Sequence, residues 1–86
     1  MTNKIAKLDI LKALADETRL KIIEALKDKE MCACELVPLA KKSQPNVSLH
    51  LKKLEENGIL KSRKEGTKVI YSIKDKRVLK ILNALE

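Results

Sequence analysis

The sequence predicts a mainly α-helical domain carrying one small β-hairpin, in the order α-α-α-α-β-β-α. Three observations carry this prediction. Aliphatic residues recur at helical spacing in four segments between residues 5 and 54, and again between residues 78 and 85. A helix with a polar cap at Ser43 follows its predecessor after the short turn Lys41-Lys42-Ser43. Ile59 to Lys64 and Lys68 to Ile73 then read as two strands about a Glu65-Gly66-Thr67 tip. The 86 residues make a single domain over 1–86. A chain this short buries only about 60% of the surface its unfolded form exposes, so a partner surface is expected.

Each element has its own signal. Ile5, Leu8, Leu11 and Leu14 recur every three residues and mark the first helix, which ends near Ala15. Asp16 caps the second, with Glu17 in its first turn, where the helix dipole favours negative charge. Leu20, Ile22, Ile23 and Leu26 supply its buried face. Lys27 to Glu30 is a polar turn, and Met31 to Cys34 is too short for its periodicity to decide. Proline lacks an N–H and is tolerated only near a helix start. Pro38 therefore places the third helix from about Cys34 or Glu35 through Leu36, Leu39 and Ala40.

Ser43 caps the fourth helix, Pro45 sits in its first turn, and Val47, Leu51 and Leu54 line one side. Asn57-Gly58 stops it. In the hairpin, Val69, Tyr71 and Ile73 alternate with Ile70 and Ser72. Val78, Leu79, Ile81, Leu82 and Leu85 make a last helix apolar around more than one face, which implies burial against another surface. Two helices joined by a tight turn and followed by a basic hairpin amount to a winged helix-turn-helix.

The net charge of +7 is unevenly placed. Residues 1–40 are balanced. Residues 41–68 set eight basic side chains (Lys41, Lys42, Lys52, Lys53, Lys61, Arg63, Lys64, Lys68) against Glu55, Glu56 and Glu65, a net +5. Residues 69–86 add +2. A reader of polyanions concentrates charge in this way, whereas a solvated lysine-rich surface spreads it. Tyr71 is the sole aromatic residue, which argues against an RNA reader that stacks bases on aromatic platforms. One His, no clustered carboxylates and no glycine loop for phosphate leave no catalytic constellation, so neither an enzyme nor a required cofactor is expected. No apolar run is long enough for a bilayer and no signal-peptide pattern appears. No membrane role and a cytoplasmic location are therefore expected, with both cysteines reduced by default.

The fourth helix carries the candidate base-reading face. At about 100° per residue, Pro45, Leu49, Lys52 and Glu56 lie opposite Val47, Leu51 and Leu54, flanked by Asn46, Ser48 and Lys53. Asn46 can pair with adenine, the lysines can reach guanine or phosphate, and Leu49 can meet a thymine methyl. Gln44, in the first turn, joins them because the N-terminal end of such a helix enters the groove. Arg63, Lys64 and Lys68 around the hairpin tip are expected on phosphate or in the minor groove, adding affinity more than specificity. Each lysine alone reads equally well as a solvated charge; the combination of cap, helix and basic hairpin is what points to double-stranded DNA. His50, at the edge of the buried stripe, reads as a packed, hydrogen-bonded side chain.

Cys32-Ala33-Cys34 is the one sharply chemical feature. Two thiolates bind soft metal ions, or trivalent arsenic or antimony. In a regular helix residues two apart diverge, and in a strand they stand about 6–7 Å apart. Chelation therefore needs an irregular segment or a distorted helix start. Two small, partly buried residues without a ligand are the alternative.

Three ordered blocks resemble the ArsR/SmtB family of metal- and metalloid-responsive repressors, over nearly the whole chain. Leu11-Lys12-Ala13-Leu14-Ala15-Asp16-Glu17-Thr18-Arg19-Leu20 is similar to the family's opening segment. Glu30-Met31-Cys32-Ala33-Cys34-Glu35-Leu36 is similar to its arsenic-sensor box, and Ser43 to Leu54 to its recognition helix. The resemblance implies a homodimer joined through residues 4–15 and 76–85. It implies a free form that binds an operator, and an inducer, As(III), Sb(III) or a soft metal ion, that binds Cys32 and Cys34 and so releases the protein from that operator. The sensor pattern can carry a third cysteine three residues after the second; here that position is Val37. The ligand set that other members build on the last helix is missing, since residues 75–86 hold no His or Cys. Two other readings stay open: a winged-helix regulator triggered by thiol oxidation or by nothing, and a winged-helix module for protein contacts, whose binding would show little salt dependence.

Overall fold

The computed structural model describes the backbone of residues 3–86 and the side chains from Lys7 onward. Helices α1 (Asn3–Leu14) and α2 (Glu17–Ala25) lead into a two-residue strand, β1 (Met31–Cys32). There follow α3 (Ala33–Ala40), α4 (Gln44–Glu56), the hairpin β2 (Leu60–Glu65) and β3 (Lys68–Ile73), and finally α5 (Arg77–Ala84). The helices and the hairpin stand where the sequence puts them, but the sheet has three strands in the order β1-β3-β2 rather than two. Met31 pairs with Tyr71 and Cys32 with Ile70, so the outer edge of β3 is covered where an unpaired edge would stand open. Both β1 side chains are buried.

Fully buried Ile22, Ile23, Leu36, Val47, Leu51, Leu54, Ile59, Leu60 and Val78 make the centre of the core. They come from α2, α3, α4, the start of β2 and α5, so the core lies directly behind the reading helix. The expected stripe on α1 is corrected. Ile10 and Ala13 face the core, while Leu8 and Leu11 stand 51% and 55% exposed. A strict three-residue repeat advances only about 300° per step, so it winds around the helix instead of staying on one side. Ile5 of that stripe falls outside the described side chains.

The helix ends follow local chemistry. Asp16 accepts the Arg19 N–H at 2.9 Å and caps α2. Ser43 accepts the Asn46 N–H at 3.3 Å and caps α4, with Pro45 in its first turn. At the far end of α4, Gly58 (φ +76°) lets Ile59 donate to the Leu54 carbonyl and Gly58 to the Glu55 carbonyl, both at 3.0 Å. Leu54 and Ile59 seal that closure from water. The wing turns on two residues between paired Glu65 and Lys68. Gly66, first of the two, takes φ +67°, as a tight hairpin of the II′ type requires.

Helix α3 begins at Ala33, earlier than the sequence suggests, because Cys32 is itself the cap. Its Sγ accepts the Cys34 N–H at 3.0 Å, and the Glu35 carboxylate accepts the Cys32 N–H at 2.9 Å. This reciprocal box outweighs the proline signal, so Pro38 lies inside the helix, on its exposed side. Arg19 ties three helices together. Its guanidinium donates to the carbonyls of Ala13 (3.0 Å) and Lys12 (3.3 Å) at the end of α1, and lies 3.5 Å from His50 Nδ1 on α4. His50 is accordingly half-buried with a polar partner, as expected.

Candidate DNA interface and cysteine cleft

Helix α4 turns Val47, Leu51 and Leu54 inward and leaves Gln44, Asn46, Ser48, Leu49, Lys52 and Lys53 exposed. Leu49 stands 70% exposed on that polar face, an arrangement with no folding benefit and a fit to a base edge. Gln44 opens the helix, so the first turn that would enter a groove carries Gln44 and Asn46. Lys64 and Lys68 stand exposed on the wing. Among the described residues, no carboxylate lies within ion-pair distance of Lys52, Lys53, Lys64 or Lys68.

Arg63 is differently placed. Its guanidinium contacts Glu30 at 2.8 Å and Glu65 at 3.1 Å. Glu30 is the residue just ahead of β1, and sequence reasoning passed over it as part of a polar turn. The only signal that would have found it is the register of β1 on β3, which sets Glu30 on the same side of the sheet as Arg63. Ser62 on β2 likewise donates to Glu55 on α4 at 2.8 Å, joining the wing to the reading helix.

The cysteine pair sits at the junction of these parts. Cys32 ends β1, pairs with β3 and caps α3. Its backbone is extended (φ −73°, ψ 149°) and the next residue is helical. This change of direction supplies the irregular segment that chelation needs. It brings the two Cα atoms to 5.1 Å and the two sulfurs together in a disulfide. Cys32 is buried and Cys34 exposed. One soft ion or arsenic atom at a thiolate bond length of about 2.3 Å can therefore reach both sulfurs once they are reduced. Among the described residues, no three His, Cys, Asp or Glu side chains converge on a point, so the site offers two protein donors.

A cleft of about 580 Å³ opens beside the pair. Cys32, Cys34, Val37 and Pro38 form one wall, Gln44, Val47, Ser48 and Leu51 a second, and Thr67, Lys68 and Val69 of the wing a third. It thus joins the cysteines to three candidate DNA-contacting residues: Gln44, Ser48 and Lys68. Thr67 was not singled out from the sequence; only the folding of the hairpin tip over the cleft brings it here.

A helix shaped for the major groove, with a basic hairpin beside it for the phosphate backbone, is the working surface of the winged helix-turn-helix transcriptional regulators. Comparison with known proteins narrows the class. The model of the bacterial regulatory proteins of the arsR family matches residues 16–62, and the chain belongs to that family. It is a DNA-binding regulator and not an enzyme. It is 43% identical over 79 residues to an uncharacterized HTH-type transcriptional regulator from Methanocaldococcus jannaschii, covering 91% of this chain and 89% of that one. It is 42% identical over 64 residues to the arsenical resistance operon repressor of Staphylococcus xylosus, covering 74% of this chain and 62% of the repressor. Among solved structures, HlyU from Vibrio cholerae superimposes with a TM-score of 0.90 at 33% identity, over 98% of this chain and 91% of that one. A homodimeric winged helix-turn-helix DNA-binding domain from Mycobacterium bovis gives 0.83 at 25% identity, over 93% and 74%. Among the described residues, no helix is long and apolar enough to cross a membrane.

Proposed function

We propose that the protein is a cytoplasmic, homodimeric repressor that leaves its operator when trivalent arsenic or antimony, or a soft metal ion, bridges Cys32 and Cys34. The observation that carries this reading is the shared cleft, in which the two sulfurs face the first turn of α4 and the wing. An occupant there presses on Gln44, Ser48 and Lys68, the groups assigned to DNA, and loads the α3 cap from which the helix-turn-helix hangs. The arsenical resistance repressor among the relatives supports the choice of inducer. The M. bovis homodimer supports a twofold assembly, and the joint through residues 4–15 and 76–85 is part of the proposal.

The test is fluorescence anisotropy of the reduced protein on its own upstream DNA. Arsenite is expected to release the wild type, while Cys34→Ser stays bound at the same concentration; equal release of both would sink the sensing role. Cys34 is the better position to change because Cys32 also caps α3. Binding without inducer should weaken by roughly three decades over a fourfold rise in salt if six or more phosphates are contacted. A flat response would instead favour a module for protein contacts.

The Cys32–Cys34 disulfide favours a second reading, in which thiol oxidation is the trigger. Parallel titrations with peroxide and with arsenite separate the two, because an oxidation switch responds to peroxide and is indifferent to arsenite.

A further inference from the structure

We propose that Leu49 makes operator affinity depend on a C5-methyl group in the major groove, that of thymine in ordinary DNA or of 5-methylcytosine where cytosine is modified. This rests on the reading of α4 as the element that enters the groove. Leu49 stands 70% exposed on the second turn of α4. At the rise of an α-helix it lies about 7.5 Å along the axis from Gln44, among the residues that reach base edges when the N-terminal end enters the groove. The buried stripe of Val47, Leu51 and Leu54 is on the other side of the helix. Among the described residues, Leu49 belongs neither to the core nor to the partly buried side chains packed against it. Folding therefore gives no reason for an aliphatic side chain here.

Its neighbours on the helix surface indicate the partner. Pro45 and Asn46 precede it by one turn, Lys52 and Lys53 follow it by one, and all four are exposed. Among the described residues, no carboxylate lies within ion-pair distance of either lysine. An apolar side chain beside two such cations matches a surface that is anionic along its edges and carries isolated methyl groups on its floor. The DNA duplex is that surface.

The floor of the major groove otherwise presents hydrogen-bonding groups: purine N7, guanine O6 and thymine O4 accept, while adenine N6 and cytosine N4 donate. Leucine has no donor or acceptor to offer them. Against a purine or cytosine edge it would displace water from polar atoms and return nothing. Against a C5-methyl, two apolar surfaces leave water together. One contact thus attracts a methylated pyrimidine and rejects the other bases. The lysines supply attraction that is blind to sequence, and Leu49 adds discrimination.

The experiment uses the upstream DNA fragment in three forms: ordinary, with deoxyuridine replacing all thymidine, and with 5-methyldeoxycytidine replacing all deoxycytidine. Anisotropy at fixed salt compares the wild type, Leu49→Ala and Leu49→Gln on each, and circular dichroism checks that both variants fold. One buried methyl is worth about fourfold in affinity, so the wild type should lose about fourfold on uracil DNA for each half-site engaged. Both variants should bind ordinary DNA more weakly by a similar factor and be indifferent to uracil. Where 5-methylcytosine is the source instead, the wild type alone should gain about fourfold per half-site on the methylated fragment. A uracil effect of equal size in the wild type and in Leu49→Ala would place the methyl contact elsewhere and overturn the proposal. A wild type insensitive to both modified DNAs would overturn it too. If the wild type binds the ordinary fragment no better than a scrambled duplex of the same composition, the operator-binding reading itself fails, and the proposal with it.

Discussion

Asp16 shows what a single residue contributes and what a sequence reveals of it. Its carboxylate accepts the Arg19 N–H, and that hydrogen bond, the largest influence on it, outweighs the opposing effect of burial and, with a smaller pull from the Arg19 guanidinium, holds its pKa below the ordinary 3.8. A group whose pKa is depressed on folding stabilises above its unfolded pKa and stops doing so as pH falls through the folded one. Asp16→Ala should therefore lose about 1 kcal/mol of stability at neutral pH. The difference from the wild type should shrink only below about pH 4. Urea titrations across that range check this, and a gap that stays constant into acid would show that something other than the carboxylate is responsible. The cap is legible in the sequence because its donor is three residues away. The Arg19–His50 contact is not, because 31 residues separate the partners and only the packing of α2 on α4 joins them. Nor is Lys41, which adopts the left-handed conformation (φ 58°) at the end of α3. The tight turn was foreseeable, but glycine or asparagine would have been the residue to announce its geometry.

At the scale of elements, amphipathic helices and the glycine-tipped hairpin were readable because each repeats a pattern over several residues. Strand β1 was not: two residues have no period, and pairing with β3 depends on a partner almost 40 residues away. What that strand changes is the surroundings of the wing. It brings Glu30 against Arg63, so one of the cations expected on DNA is held by carboxylates in the free protein. Both side chains are about half exposed, and such a pair adds little to stability. Glu30→Gln should leave the unfolding midpoint almost unchanged. It should raise DNA affinity several-fold and steepen the logarithmic salt slope by up to about one unit, as only Glu65 then competes with phosphate for Arg63. Affinity that falls instead would mean that Glu30 orients Arg63 toward DNA rather than withholding it.

For the molecule as a whole, the uneven charge and the surplus of apolar surface were the two readable facts, and the structure gives each a location. The unbalanced lysines lie along α4 and the wing. The surplus surface lies on the helices at the two ends of the fold, where Leu8, Leu11 and Leu85 are exposed and a shallow groove of about 360 Å³ is lined by Ile10, Leu11 and Ile81. Exposed leucines on α1 and at the end of α5 are what a chain with too small a core would use to complete itself in a second copy. A symmetric pair would also present two reading helices, and linking two half-sites strengthens binding far beyond either alone. Leu11→Glu should keep the fold, since its side chain is outside the core, but place a charge in the proposed joint. Sedimentation should then show a monomer, and DNA affinity should drop by roughly two to four decades with little change in helical signal. A dimer that survives this substitution, with DNA binding intact, would move the joint away from α1 and leave the exposed leucines to another partner.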